Sequence, residues 1–280
     1  MSEKLHKMLA TAGLGSRREL EKWIVAGRVS INGRTAILGD RADPTDRILV
    51  DGRPISIRVE DSPRVLMYSK PEGEICTRSD SEGRPTVFDK LPRLAHGRWI
   101  AVGRLDINTS GLLLFTNHGE LANRLMHPSY EIKREYLVRI HGGVNQAMIG
   151  RLTEGVFLDD GIARFHMVKP QHKRADDELA GASNQWFRVV LAEGRTREVR
   201  RLWESQGVEV NRLKRISYGP IDLPSIVRRT DFLELSPKQV ATLFDAVRLR
   251  LPNYAEKTVH KDMRQRKESK LRSRGNPQHR

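Results

Sequence analysis

Apolar positions along this chain follow first a helical period, then an alternating one. Leu5, Met8, Leu9 and Ala12 recur at helical spacing, and Gly13 can close that helix. Ser16 opens a second helix with Glu19 three residues on, the reciprocal pairing that satisfies free amides at a helix start. Its apolar face is Leu20, Trp23 and Ile24, and Gly27 ends it. From Val29 to Ala36 the pattern shortens to a hairpin around Asn32-Gly33, a pair that tolerates the positive φ of a tight turn. Asp51-Gly52 suggests a second such turn.

A polar break, Glu60-Asp61-Ser62-Pro63, reads as a linker. Beyond it, strands are predicted over 65–68, 100–102, 112–116, 134–141, 185–191 and 208–217, and helices over 120–126, 197–206 and 237–249. The last helix is well marked: Ser236 caps it, Pro237 and Gln239 follow, and Val240, Leu243, Phe244 and Val247 form its stripe. Few helical crossovers separate the strands, so an α+β domain on a mixed, mainly antiparallel sheet is expected. Residues 171–182 are polar and read as an exposed loop. From 256 to 280 nine Lys or Arg stand against three Asp or Glu with almost no apolar residue, so a basic, disordered tail is expected. The predicted organisation is a small domain over 1–60, a larger one over 64–251 and a tail over 252–280.

Composition narrows the class of function. With 280 residues, 38% hydrophobic and 30% charged, the chain suits a globular protein of one ordinary domain plus a small one. No window approaches 18 consecutive apolar residues, and Met1 to Lys7 lacks the apolar core of a signal peptide. Cys76 is the single cysteine, which excludes an internal disulfide and fits a reducing cytoplasm. Nine scattered histidines make no zinc spacing, so no metal is expected. Fifty Lys and Arg against 35 Asp and Glu, net +15, point to a polyanionic partner. Nucleic acid is favoured over an anionic membrane, since no long basic amphipathic helix with aromatic insertion residues is visible. In the first domain Lys4, Lys7, Arg17, Arg18 and Lys22 are candidate phosphate contacts, with a solvated charged face as the alternative.

The most informative stretch runs from Gly103 to Phe115. Asn108-Thr109-Ser110-Gly111 has the residues of a tight turn, and Leu112 to Phe115 those of a buried strand. Asp106 therefore sits on a loop at the mouth of a rigid element. On local spacing alone, an Asp that accepts turn hydrogen bonds is the favoured reading. Tyr136, in Lys133-Arg134-Glu135-Tyr136, would on its own be a core aromatic. Arg195, Arg197, Arg200 and Arg201 crowd the start of a helix that buries Val199, Leu202 and Trp203.

Taken together, these segments resemble a known family. Gly-Arg-Leu-Asp-x-x-Thr-Ser-Gly-Leu-Leu-Leu is similar to the catalytic loop of the pseudouridine synthases, in particular the RsuA/RluB-type branch that modifies ribosomal RNA. Lys70-Pro71-Glu72-Gly73, Lys133 to Tyr136, Gly194 to Arg201 and Leu213-Lys214-Arg215-Ile216 resemble its further motifs, so that the likeness runs from Met1 to about Leu251. Arg197-Glu198 replaces a common His-Gln, as is typical of that branch. Residues 1–60 resemble an S4 RNA-binding domain, through Leu5, Leu9, Gly13, Ser16 to Arg18, Gly27, Val29, Asn32 and Gly33 among others.

The resemblance implies an S4-like RNA-binding domain followed by a pseudouridine synthase catalytic domain. It implies a catalytic set of Asp106, Tyr136 and Arg200, with Arg200 paired to the aspartate. Arg104, Leu213, Arg195 and Arg197 would bind the substrate, Leu213 lining the uridine pocket. The implied reaction is uridine isomerisation in 23S ribosomal RNA, in the peptidyl-transferase region, by a cytoplasmic monomer without cofactor, on an assembly intermediate of the large subunit. A small-subunit 16S target is the sibling alternative. Two other classes are a non-catalytic ribosome-assembly factor and a hydrolase. The latter would need Glu72 or Glu74 beside Asp106, and nothing in the sequence puts them there.

Overall fold

The computed structural model describes residues 2–55, 57, 62–171 and 184–252. The polar loop and basic tail read from the sequence, and part of the linker, lie outside the described residues. Contacts divide the chain into two compact units: Met1–Pro63 with Pro92–Ile100 and Asn117–Gly119, and Arg64–Leu91 with Ala101–Thr116 and Glu120–Arg280.

The smaller unit contains β1 (Glu3–Lys4), α1 (Leu5–Thr11), α2 (Arg17–Val25), β2 (Val29–Ile31), β3 (Arg34–Thr35), β4 (Arg41–Ala42), β5 (Ile48–Val50) and β6 (Arg53–Pro54). The start of α2 is the predicted reciprocal cap. Ser16 Oγ accepts the Glu19 amide at 3.1 Å, and Glu19 accepts the Ser16 amide at 3.2 Å. Asn32 and Gly33 turn the β2–β3 hairpin with φ of 50° and 85°. Strands β3, β2, β5 and β6 pair in that order, all antiparallel, and bury Val29 and Ile48 against Leu5, Leu9, Leu20 and Ile24. Trp23, expected on the apolar face of α2, is only partly buried, its ring covered by the Arg28 guanidinium at 4.5 Å. Strands β1, β3, β4 and β6 have two residues each, too short to leave a periodicity in the sequence.

In the larger stretch lie β7 (Val65–Lys70), β8 (Ile100–Val102), β9 (Ser110–Thr116), α3 (Gly119–Met126), β10 (Arg134–His141), α4 (Gln146–Glu154), β11 (Val156–Leu158), β12 (Gly161–Ala163), β13 (Met167–Pro170), β14 (Asn184–Leu191), α5 (Glu198–Glu204), β15 (Glu209–Tyr218), β16 (Ile221–Asp222), β17 (Phe232–Glu234) and α6 (Pro237–Ala246). The main sheet runs β13-β14-β10-β15-β9-β7-β17. Among the described residues its strand pairs are antiparallel except one: β15 lies parallel to β9, Lys214 opposite Ser110 and Arg215 opposite Gly111. The mixed, mainly antiparallel α+β architecture is thus the observed one. Every residue of β7 and β9 is buried, as the apolar run from Leu112 to Phe115 requires of a central strand.

The parallel contact depends on one glycine. At Gly111 φ is +104°, and a Cβ there would stand 2.1 Å from the Arg215 carbonyl oxygen. No other residue lets the two main chains approach so closely.

Five elements escape the hydrophobic pattern. Helix α4 buries only Leu152, and β17 exposes all three residues. The hairpin β11–β12 leaves Phe157 and Ile162 exposed, and β13 has only partly buried or exposed residues. Their apolar faces are too narrow to produce a periodic signal. The last two predicted helices end earlier, at Glu204 and Ala246, and Arg248 just beyond the second adopts a positive φ of 50°. Among the described residues no helix is long and apolar enough to cross a membrane.

Candidate active site

The loop from Gly103 to Thr109 enters β9 where Ser110 lies beside Lys214, near the middle of β15. Two cations fix the loop through its main chain. Lys70 Nζ, fully buried, donates to the carbonyls of Asp106 at 3.0 Å and Thr109 at 2.9 Å, and to Pro71 at 2.9 Å. Burial pushes this ammonium below its ordinary pKa, while nearby Cys76, Glu74 and Asp106 hold it up. Arg200, 5% exposed, donates to the Asn108 carbonyl at 3.0 Å and to Val210 at 2.7 Å.

The turn reading of Asp106 does not describe its side chain. The Asp106 main-chain carbonyl accepts the Thr109 amide at 3.0 Å, whereas its carboxylate takes no main-chain bond among the described residues. Asp106 lines a cavity of about 440 Å³. Arg104, Tyr136, Leu213, Arg195 and Arg197 line the same cavity. Arg200 does not line it, and no ion pair within 4.0 Å joins it to Asp106 among the described residues. The expected direct pair is therefore replaced by a bond to the loop two residues on. Arg200 still feels the carboxylate, which raises its pKa against the lowering by burial and by Arg197.

Strand alternation explains half of the cavity floor. Arg134 and Tyr136 on β10 share a face, as do Leu213 and Arg215 on β15. Tyr218 would then point the other way, three positions from Arg215. A register shift puts it on the floor: Glu135 pairs with Ser217 but Tyr136 with Arg215, leaving Ile216 unmatched. Tyr218 consequently lies between two guanidinium groups, Arg134 at 5.1 Å and Arg215 at 5.0 Å from its ring centre. Both arginines are at least nine-tenths buried, and neither forms an ion pair among the described residues. Arg134 is tied to Ile132 and Ala192 carbonyls and Arg215 to that of Leu112.

Sequence reasoning passed over Arg134, Arg215, Tyr218 and Glu198, all of which line the cavity. The available signal was the two-residue spacing of Arg134 from Tyr136 and of Arg215 from Leu213. Glu198 accepts the Arg195 amide at 3.0 Å, its other oxygen has no partner among the described residues, and burial raises its pKa. The carboxylates of the hydrolase reading are elsewhere. Glu74 is buried against the Tyr68 hydroxyl at 2.6 Å, and neither it nor Glu72 lines the cavity.

In the smaller unit Lys4, Arg17, Arg18 and Lys22 are exposed, and Lys7 pairs with Glu3 at 2.6 Å. Arg98, which the sequence did not suggest, adds to this charge: its pKa is lowered by burial and then by Arg17.

The mixed, mainly antiparallel sheet is the one the resemblance implies, and Asp106, Tyr136 and Leu213 line one cavity, without the implied Asp106–Arg200 pair. The RNA pseudouridylate synthase profile matches residues 64–205, and an S4 domain profile matches residues 3–48. The chain belongs to the RNA pseudouridylate synthase family. It is 53% identical over 278 residues to ribosomal large subunit pseudouridine synthase B of Escherichia coli strain K12, covering 97% of this chain and 92% of that one. With the protein of that name from Pseudomonas aeruginosa it shares 52% over 274 residues, 95% of this chain and 69% of the other. A crystal structure of a pseudouridylate synthase shares the fold at a TM-score of 0.59 and 23% identity, covering 86% of this chain and 99% of that one.

Proposed function

We propose that this chain converts a uridine of 23S, large-subunit ribosomal RNA to pseudouridine, acting as a cytoplasmic monomer on an assembly intermediate. The observation that carries the reading is Asp106: it lines one cavity with Tyr136 and Leu213, its carboxylate takes no main-chain cap among the described residues, and its loop is held by Lys70 and Arg200. A protein that only bound RNA would gain nothing from fixing a carboxylate where a phosphate backbone approaches. The large-subunit relatives favour the 23S target over the 16S alternative.

The reaction conserves atoms and electrons. The N1–C1′ bond breaks, the uracil rotates, a C5–C1′ bond forms, the C5 proton leaves and N1 gains one. Asp106 serves as the nucleophile, at C1′ or at C6, or assists a glycal intermediate. The uridine must first leave its stack, at a cost of a few kcal/mol. Stacking on Tyr136, with Leu213 beside it, offsets part of that cost. Arg104, Arg195 and Arg197 at the rim supply charge for the flanking phosphates, while Lys4, Lys7, Arg17, Arg18 and Lys22 of the S4 domain grip structured RNA by shape and phosphate.

Asp106→Asn tests the assignment. Pseudouridine formation in a 23S fragment is expected to vanish, while RNA affinity stays within roughly tenfold, about 1.4 kcal/mol. Conversion at the wild-type rate would refute the nucleophile.

A further inference from the structure

The hairpin β11–β12 presents an apolar pair that the fold does not use. Phe157 is 83% exposed and Ile162 57% exposed, and the two are direct cross-strand partners on one face. Arg164, two positions beyond Ile162, is exposed as well. The opposite face does the packing, through buried Ala163 and partly buried Val156 and Leu158.

The hairpin is held to the cavity wall by charge. Arg195 donates to the Ile162 carbonyl at 2.9 Å and the Asp160 carbonyl at 3.2 Å. Arg201 clasps the Asp160 carboxylate at 2.8 and 2.9 Å, holding its pKa down at about 2. A lone two-stranded hairpin is marginal in water, so these bonds give it a fixed position. Arg195 itself lines the cavity that holds Asp106. One side chain therefore borders both the cavity and the hairpin, and Phe157 is left outward on a preorganised support.

We propose that Phe157, with Ile162, is a stacking platform for an unpaired base flanking the uridine drawn into the cavity. The inference rests on the function proposed above. Extruding one nucleotide leaves its neighbours with an unstacked face, and a rigid aromatic beside the entry can take one of them. Charge supports RNA as the occupant. Arg164, just past β12, is exposed, and Asp160 is neutralised by Arg195 and Arg201. Asp159 at the tip has no ion pair among the described residues and repels phosphate, so the contact is to a base and not to the backbone.

The test compares steady-state conversion of a 23S fragment by wild type, Phe157→Ala, Phe157→Leu and Phe157→Trp. Alanine is expected to raise KM about tenfold with kcat changed less than about twofold, the size of a lost base–aromatic stack. Tryptophan should restore KM and leucine should not. An abasic site at the stacked position should raise the wild-type KM and abolish the difference between wild type and Phe157→Ala. The platform is refuted if alanine leaves KM within twofold, if leucine rescues as well as tryptophan, or if only modification in cell extract falls, which would indicate a protein on this face. Failure of wild type to convert uridine at all would instead refute the function on which the platform rests. Since Phe157 is largely exposed, the variants should melt with the wild type.

Discussion

Replacing Lys70 with methionine isolates what holds the Asp106 loop. The ammonium makes three good bonds, to Pro71, Asp106 and Thr109 carbonyls at 2.9, 3.0 and 2.9 Å, plus a long one to Ile107 at 3.5 Å. Hydrogen bonds to a charged group contribute about 1.5–3 kcal/mol each, so three lose about 4.5–9 kcal/mol. Methionine has nearly the same length and no charge, so several kcal/mol of ammonium desolvation are recovered. The net expectation is a loss of about 2–4 kcal/mol, which lowers Tm by about 4–16 °C at about 2–4 °C per kcal/mol for a domain of this size. Activity should fall further than stability suggests. With the carbonyls of Asp106 and Thr109 unheld, drift of the carboxylate by about 1 Å costs about a hundredfold in rate. Calorimetry gives the first number and single-turnover conversion of saturating RNA the second, below the Tm of the variant. Because Lys70 touches the loop and not the cavity, RNA affinity should change little. A Lys70→Met protein whose rate stays within threefold of wild type would show that the loop needs no such anchor.

Two further variants probe the scaffold around the site. Gly111→Ala places a Cβ 2.1 Å from the Arg215 carbonyl oxygen at a φ of +104°, so backbone strain and overpacking together should cost about 3–5 kcal/mol; a wild-type melting curve would contradict the tight β9–β15 contact. Glu198→Gln keeps an acceptor for the Arg195 amide but cannot ionise. Because burial raises the folded pKa of Glu198 above its ordinary 4.5, the wild type is favoured below that value and loses stability as pH rises through the folded one. The glutamine variant should therefore melt higher than wild type at neutral pH, with the gain shrinking to nothing as pH falls below about 4. A Tm difference independent of pH would mean that the carboxyl is not held in an unfavourable charged state.

Local pattern was sufficient for the elements whose apolar face is broad or whose ends are chemically marked. The Ser16 and Ser236 caps, the Asn32-Gly33 turn, the β10 alternation and the α6 stripe are all interactions within a few residues, so the sequence carries them directly. The hairpin β11–β12 and strand β17 were invisible because their outer residues are exposed and no period results. Around Asp106 the local pattern, turn residues before a buried run, announced only a loop at the end of a strand; the roles of Asp106, Tyr136 and Leu213 came from the family resemblance and not from spacing.

What the sequence by itself determined was therefore the elements with a broad apolar face or a chemically marked end, such as α2, β9, β10 and α6. Tertiary structure decided what surrounds them. The parallel pairing of Lys214 with Ser110 joins positions more than a hundred residues apart, and only that closure turns Arg200 from a partner of the carboxylate into a clamp on its loop. The unmatched Ile216 brings Tyr218 onto the floor with Arg134 and Arg215. Lys70 could be seen as a motif, yet not as a buried ammonium bound to carbonyls 36 and 39 residues away. Periodicity records which face of a strand is apolar, whereas register, bulges and the capture of distant carbonyls are settled by contacts that form only when the whole sheet is assembled.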